Sequence, residues 1–142
     1  MAIDRQLRVL VADDHDIVRR GVVDIVREMF PGAIIEEARD GAEALQKCLA
    51  ESWDLVILDI TMPKQSGMEV LRQAKRQRPD LCVIMLSMHF GPQYVQMALK
   101  VGASGYVGKG EATEELGPAI RAALDGETYL SREVAERLKG KR

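Results

Sequence analysis

The sequence predicts an α/β domain built on a doubly wound parallel sheet of five strands, with helices on both faces. Short apolar runs alternate with segments whose apolar residues recur every three or four positions, the patterns of buried strands and amphipathic helices. Glycine and proline lie at most boundaries between them, so the connections are short. At 142 residues the chain is long enough to bury a core without disulfides or structural metals.

The five predicted strands differ in polarity. The third has four consecutive apolar residues between Asp54 and Asp59, too few for a self-burying helix but suited to a strand covered on both faces. The second is more polar, which places it at an edge of the sheet. In chain order the strands are assigned to residues 7–12, 33–38, 55–59, 82–86 and 105–107.

Most of the predicted helices carry a start or stop signal. Residues 17–29 place apolar side chains at helical spacing. Asp40 and Ser66 are each followed three positions later by Glu, a capping-box pattern that opens the second and third helices. Pro92 suits the first turn of the fourth helix, and Gly102 is placed to end it.

The fifth helix contains a conflict. If Thr113 were its cap, Pro118 would fall past the first turn and break the hydrogen-bond ladder, so we expect a kinked first turn or a start near Pro118. Further on, Ser131 is placed to cap a short helix. We therefore assign residues 1–126 to the domain and residues 127–142 to a linker with a short C-terminal helix.

Composition excludes several function classes. Twenty Lys and Arg against 22 Asp and Glu give a net charge of -2, which disfavours direct nucleic-acid or anionic-membrane binding. No apolar run approaches the ~20 residues that span a bilayer, and the N-terminus has no apolar signal core. The two cysteines, Cys48 and Cys82, are far apart and fit no metal or redox spacing. We expect a cytoplasmic protein without a membrane partner.

Chemistry-bearing residues stand at the carboxyl ends of four predicted strands. In open α/β sheets that edge is where ligands bind. Gathered carboxylates repel one another unless a cation neutralises them, and an all-oxygen site suits Mg²⁺. A carboxylate beside such a metal can attack phosphorus to form an aspartyl phosphate, with an ammonium and a hydroxyl to stabilise it. The residues are Asp13 and Asp14 after the first strand, Asp59 at the third, Ser87 after the fourth and Lys109 after the fifth.

Taken singly, these residues have simpler explanations. Asp13 and Asp14 would serve as helix caps, and Lys109 as a surface charge. Only the combination favours a reaction site. His15 is interpreted as a loop residue rather than a zinc ligand, because there are no thiolates and no ligand spacing. Met88 is noted as a residue that could gate access to Asp59.

The same combination resembles the receiver domain of two-component response regulators. The resemblance covers about residues 7–126 in order. Its motifs are Asp13-Asp14 after the first strand, Asp59 in Leu-Asp-Ile-Thr-Met-Pro, Ser87 after the fourth strand and Lys109 after Tyr106-Val107. It implies a flavodoxin-like strand order, 2-1-3-4-5.

The resemblance also implies roles. Asp59 would accept a phosphoryl group from a sensor histidine kinase. Asp14 would bind Mg²⁺ directly, Asp13 mainly through water, and the backbone carbonyl of Thr61 would be a further ligand. Ser87 and Tyr106 match the family's switch pair, in which the hydroxyl moves toward the phosphate and the aromatic ring turns inward. That movement would remodel the face formed by the fourth helix, fifth strand and fifth helix.

Residues 125–131, together with Ser-Met-His at 87–89, resemble the NarL/FixJ subfamily, whose receivers precede a helix-turn-helix DNA-binding domain. The chain is then either part of a longer transcription regulator, which we favour, or a stand-alone receiver that docks on proteins. DNA would be contacted only through that further domain. The resemblance leads us to expect phosphorylation-dependent homodimers. Gly110 departs from many receivers and predicts a looser loop after Lys109.

Two other functions compete with this hypothesis. An aspartate-nucleophile phosphatase of the haloacid dehalogenase type needs a second acid two residues after the nucleophile, where this chain has Thr61. A flavin-binding module would need phosphate-cradling groups in the first loop, where Asp13 and Asp14 repel phosphate. We expect a switch that assists its own phosphorylation and dephosphorylation, and not a turnover enzyme.

Overall fold

Strands and helices alternate along the chain in a computed structural model that describes residues 6–88 and 91–140. The strands are β1 Arg8–Ala12, β2 Ile34–Ala38, β3 Leu55–Asp59, β4 Val83–Ser87, β5 Gly105–Gly108 and β6 Tyr129–Leu130. The α-helices are α1 Asp16–Met29, α2 Gly41–Ala50, α3 Gly67–Gln77, α4 Pro92–Val101, α5 Ala112–Leu124 and α6 Arg132–Gly140. A 3₁₀ turn, Lys109–Glu111, joins β5 to α5.

The described residues form one parallel sheet with the order β2-β1-β3-β4-β5-β6. The doubly wound fold and the order of the first five strands are confirmed, but the prediction of five strands is wrong by one. Tyr129 and Leu130 add a sixth, pairing in parallel with Gly105 and Tyr106. Two half-buried residues are too few to produce an apolar run or an alternation, so the sequence pattern could not reveal this strand.

The sheet divides the core into two layers. Helices α1 and α5 cover one face, and α2, α3, α4 and α6 cover the other. Every residue of β3 and β4 is buried, as their apolar sequences predict. Strand β2 lies at the edge and is only partly buried, as its polar residues predict.

Most of the predicted helix boundaries are confirmed. Asp40 Oδ1 accepts the Glu43 amide at 2.8 Å at the start of α2, and Ser66 Oγ accepts the Glu69 amide at 3.2 Å before α3. Gly102 ends α4 with a φ of 117°, a backbone conformation that residues other than glycine rarely adopt.

The fifth helix does not follow one of its two predicted alternatives, the late start. It does not start near Pro118 but at Ala112, directly after the 3₁₀ turn, and Pro118 lies inside it. Pro118 cannot donate to the carbonyl of Glu114, four residues earlier. Both residues are exposed, so water can hydrate that carbonyl and the helix continues.

Residues after the fifth helix extend the same sheet and core. Helix α6 contacts α4 and β5, and Val134 is fully buried. Ser131 precedes α6 as predicted, and its carbonyl accepts the Ala135 amide at 2.8 Å. Its hydroxyl does not cap the helix, however, because it donates to Glu111.

Both cysteine sulfurs are unpaired. Burial raises the pKa of Cys48 to about 12, which makes this thiol unreactive at neutral pH. In the ranges 6–88 and 91–140, we find no helix with the length and apolar character needed to cross a bilayer.

Candidate functional site

The structure brings the predicted residues together at the carboxyl edge of the sheet. Asp13 and Asp14 directly follow β1, and Asp59 and Ser87 are the last residues of β3 and β4. Lys109 directly follows β5. Because all these strands are parallel, their last residues meet at one edge. Asp13, Asp59 and Ser87 are buried there.

Asp59 is held in place by the turn that follows β3. Its side chain is 2% exposed, and Oδ1 accepts the Thr61 amide at 3.3 Å. The start of α3 returns so closely that a Cβ on Gly67 would lie 2.0 Å from the Asp59 carbonyl oxygen. Only glycine allows this approach, so Gly67 fixes the path of the backbone around the carboxylate.

Lys109 lies between two of the acids. Its Nζ is 3.1 Å from Asp13 Oδ2 and 3.2 Å from Asp59 Oδ2, and its side chain is only 6% exposed. A buried ammonium at these distances partly neutralises both carboxylates. One positive charge therefore serves a site with three acids.

The remaining negative charge is poorly satisfied. One oxygen each of Asp13, Asp14 and Asp59 is buried and, among the described residues, accepts from no backbone amide or hydroxyl. Its close polar contacts are to the shared Lys109 ammonium for Asp13 and Asp59, and to the His15 ring, 3.4 Å away, for Asp14. Atoms of these acids and of His15 lie within 4.8 Å of one another. Buried carboxylate oxygens without donors are costly unless a cation binds them. The cluster is compatible with a hard divalent metal ion.

The surroundings disfavour the charged form of Asp59. Burial and then the neighbouring charge of Asp13 raise the pKa of Asp59 to about 6, while Lys109 and the Thr61 amide act in the opposite direction. A carboxylate with a raised pKa at a strand end marks a candidate reaction site. At pH 7 most of the Asp59 population is still ionised, so it remains a nucleophile.

His15 is a site residue that the sequence analysis missed. Its Nδ1 lies 3.0 Å from Asp13 Oδ1, 3.4 Å from Asp14 Oδ1 and 3.2 Å from Lys109 Nζ. Its backbone amide donates to Asp13 Oδ1 at 2.8 Å. The sequence predicts an ordinary loop residue at His15, although its place next to Asp14 at a strand end is a usable signal. The imidazole ring lies on the solvent side of the cluster, and the His15 side chain is 58% exposed.

Ser87 and Tyr106 form a buried pair beside the acids. Both are fully buried, and their side chains are hydrogen-bonded. Burial raises the pKa of Tyr106 to about 12, against the effect of the Ser87 hydrogen bond. The ring is already packed inward, and its phenol is neutral at pH 7. Met88 is strongly exposed, so its predicted gating role stays a prediction, and His89 lies outside the described residues.

The metal-binding roles are less fully defined by the geometry. Asp14 is partly exposed beside the buried Asp13, and one of its oxygens is buried 3.4 Å from His15 Nδ1. Thr61 places its peptide beside the Asp59 carboxylate. The contribution of the Thr61 carbonyl stays a prediction.

Comparison with protein families yields one match that covers most of the chain. The family described as "Response regulator receiver domain" matches residues 9–121. Response regulator UvrY of Escherichia coli O6:H1 is 33% identical over 132 residues, which are 93% of this chain and 61% of UvrY. Response regulator GacA of Pseudomonas viridiflava is also 33% identical, with 93% of this chain and 62% of GacA covered. The chain thus spans about three fifths of the length of these relatives.

Solved structures agree with this match. The crystal structure of a LuxR-family two-component response regulator from Aurantimonas sp. SI85-9A1 has a TM-score of 0.88 and 33% identity, covering 97% of this chain and 99% of that one. The isolated receiver domain of RcsB from Salmonella enterica serovar Typhimurium, solved with the phosphomimetic BeF₃⁻, has a TM-score of 0.85 and 25% identity, with 94% and 99% covered. A structure of two RcsB dimers bound to two parallel DNAs has a TM-score of 0.84 and 25% identity, covering 95% of this chain and 69% of that one.

Proposed function

Because this chain belongs to the receiver-domain family of response regulators, in its NarL/FixJ (LuxR-type) branch, we propose that Asp59 is its phospho-acceptor and that phosphorylation switches its output. One observation carries the proposal. A buried carboxylate stands at a strand end beside two further acids, and a single buried ammonium is shared between it and one of them. That arrangement supplies both a nucleophile and a place for the charge of a phosphoryl group.

The transfer is a displacement at phosphorus. One Asp59 oxygen forms a bond to phosphorus while the bond from phosphorus to the donor nitrogen, a phosphohistidine of a sensor kinase, breaks and its electron pair stays on nitrogen. Asp13, Asp14 and Asp59, with the carbonyl of Thr61, would hold Mg²⁺, whose charge offsets that of the phosphoryl oxygens. Lys109 already lies 3.2 Å from Asp59 and would pair with one of those oxygens.

The readout would begin at Ser87. Its hydroxyl is bonded to Tyr106 in the unphosphorylated protein and would exchange that partner for a phosphoryl oxygen. Moving such a two-state equilibrium from mostly off to mostly on needs about 5.5 kcal/mol of differential stabilisation. A group that adds about -1.5 to -2 charges beside a metal and an ammonium is of the right size to supply it.

Partners follow from the same proposal. We propose a sensor histidine kinase as the phosphoryl donor, homodimers that form on phosphorylation, and a DNA-binding output domain in the longer protein. The RcsB dimers on DNA and the greater length of UvrY and GacA support this view. The unpaired thiols of Cys48 and Cys82 favour a reducing compartment, so we place the protein in the cytoplasm. It would act as a switch and not as a turnover enzyme.

Intact mass after incubation with acetyl phosphate tests the central claim. We expect one phosphoryl adduct that requires Mg²⁺ and disappears in Asp59→Asn. Asp54→Asn is the matched control, since Asp54 lies just before β3, at the amino end of the strand that carries Asp59 at its carboxyl end. An adduct that forms equally well on Asp59→Asn would contradict the assignment.

Sedimentation tests the dimer. The mass should double on adding beryllofluoride with Mg²⁺ in the wild type, and it should remain that of a monomer in Asp59→Asn. An unchanged mass in the wild type would argue for output by docking on another protein.

A further inference from the structure

We propose that Ser131, twenty-two residues beyond Lys109, positions Lys109 for phosphoryl transfer by holding both ends of the turn that carries it. This inference rests on the proposed function of Asp59. It also links the start of α6, through Ser131, to the phosphorylation site. Ser131 would act through Gly108 and Glu111, without touching the phosphoryl group.

The contacts of Ser131 carry the argument. Its side chain is fully buried, its Oγ accepts the Gly108 amide at 3.1 Å and donates to Glu111 Oε2 at 2.6 Å. Gly108 immediately precedes Lys109, and Glu111 is the last residue of the 3₁₀ turn. A single hydroxyl therefore bridges the two ends of Lys109–Glu111.

The turn itself offers little resistance to movement. A 3₁₀ turn of three residues has poor hydrogen-bond geometry. Its middle residue is Gly110, and a Cβ built there meets no described heavy atom within 4 Å. Glycine has wide conformational freedom, so packing within the turn does not fix the direction of the Lys109 side chain. The sequence predicts a loose loop here, and the bridge to Ser131 supplies the missing restraint.

Ser131 is in turn held by the sheet and by α6. Its amide donates to the Tyr106 carbonyl at 3.1 Å, directly after the pairing of β6 with β5. Glu111 Oε1 accepts the Glu133 amide at 2.9 Å, in the first turn of α6. One buried carboxylate thus joins the Lys109 turn to the start of α6.

Coupling of this kind is reciprocal. If the position of α6 stabilises the Lys109 turn, then drawing Lys109 toward a phosphoryl oxygen changes how firmly α6 is held. The chain immediately after the receiver fold would then sense the phosphate through Lys109, in addition to the Ser87–Tyr106 pair.

Phosphorylation rates of three variants test the proposal. Ser131→Ala removes the bridge, and a shift of about 1 Å in a positioned group can cost up to 10²-fold, so we expect the maximal rate with acetyl phosphate to fall by about tenfold. Ser131→Thr keeps the hydroxyl and should restore most of the rate. Tyr129→Phe is the matched control, because it removes a hydrogen bond of the same segment, to Glu115, without altering the bridge to Gly108. Its rate should stay near that of the wild type.

Amide signals of the unphosphorylated protein give a second readout that does not depend on Asp59 chemistry. In ¹H–¹⁵N spectra, Ser131→Ala should shift the Gly108 signal and speed hydrogen exchange at Lys109 and Gly110. Tyr129→Phe should leave these signals in place. Urea unfolding of each variant identifies any loss of rate that comes from global instability.

The outcomes separate the two claims. If the wild type forms no phosphoryl adduct, the proposed function is wrong. The shift of the Gly108 amide signal in Ser131→Ala would still show whether Ser131 holds the turn. A Ser131→Ala variant that is folded and phosphorylated at the wild-type rate overturns the inference. So does a Tyr129→Phe variant that is slowed to the same extent.

Discussion

Two groups of buried or partly buried carboxylates differ in how their oxygens are hydrogen-bonded. One is the aspartate cluster that faces Lys109, and the other is the pair Glu111 and Glu115 that faces Ser131 and α6. In the first, one buried oxygen each of Asp13 and Asp59 is approached by the shared Lys109 ammonium, and that of Asp14 by the His15 ring at 3.4 Å, with no backbone amide or hydroxyl donating to any of the three among the described residues. In the second, both oxygens of Glu111 and both of Glu115 accept hydrogen bonds. The second group is complete within the fold. The first leaves room for a cation to bind, as the proposed phosphorylation site requires.

The pKa values follow the same division. Burial and Asp13 raise the pKa of Asp59 to about 6. Burial also acts to raise the pKa of Glu115, but hydrogen bonds from the Tyr129 hydroxyl and the Arg132 amide outweigh it and lower that pKa. Ionised Asp59 is thus a cost to the metal-free fold, whereas ionised Glu115 stabilises it.

Removal of the ammonium should have the largest effect. Lys109→Met leaves Asp13 and Asp59 without their cation, and losing one preorganised charge partner typically costs about 10²- to 10³-fold in rate. We expect phosphorylation by acetyl phosphate to slow by at least about 10²-fold, measured by intact mass over time. Lys100→Met, on α4, is the control and should react normally. A normal rate for Lys109→Met would show that the Lys109 ammonium is not needed to neutralise the phosphoryl charge.

Neutralising Asp59 should stabilise the metal-free protein. The folded-state pKa of about 6 lies above the model value of 3.8, so the stability from Asp59 is fully present below about pH 4 and is lost as pH rises through 6. Urea unfolding at pH 7.5 with EDTA should show Asp59→Asn to be more stable by about 1 to 3 kcal/mol. The gain should vanish near pH 4. Equal stability of the two proteins at pH 7.5 would mean that Asp59 is better satisfied than its surroundings indicate.

The same neutralisation in the other group should destabilise. Glu111→Gln keeps the shape but weakens two charge-assisted hydrogen bonds, to the Ser131 hydroxyl and the Glu133 amide. We expect a loss of about 1 to 3 kcal/mol in urea unfolding at pH 7.5. A gain in stability would erase the contrast between the two groups of acids.

The smallest effect concerns Glu115, which has more than one donor. Tyr129→Phe removes the hydroxyl 2.7 Å from Glu115 Oε1 but leaves the Arg132 amide in place, so the loss should be about 0.5 to 1.5 kcal/mol at pH 7. Because the pKa of Glu115 is lowered, its contribution is present above the model value of 4.5 and is lost as pH falls through the folded-state pKa. The difference between Tyr129→Phe and wild type should therefore narrow in acid. Melting curves from pH 3 to 7 would measure it.

How far the sequence can predict this molecule depends on the length of each signal. Strands β3 and β4 are continuous apolar runs, and the caps at Asp40 and Ser66 are local patterns, so all were found. Asp13, Asp59 and Lys109 could be placed together because the carboxyl ends of parallel strands meet at one edge.

The features that were missed depend on tertiary contacts. Strand β6 has only two residues, and its existence rests on pairing with Gly105 and Tyr106. The bridge from Ser131 to Glu111 joins residues twenty positions apart in different elements. No local pattern records such a contact, and Ser131 in particular looked like an ordinary helix cap. Pro118 gave a wrong prediction for the opposite reason. The local rule that proline interrupts a helix does not hold where the unpaired carbonyl faces water.

The sixth strand also has a consequence for solubility. Without Tyr129 and Leu130, β5 would be the edge strand of the sheet. Its unpaired backbone amides and carbonyls could then pair with a second chain. With them, the outermost strand is two residues long, too short to template an intermolecular sheet. Fragments of this protein cut after residue 126 should therefore aggregate or exchange strands more readily than the 142-residue chain.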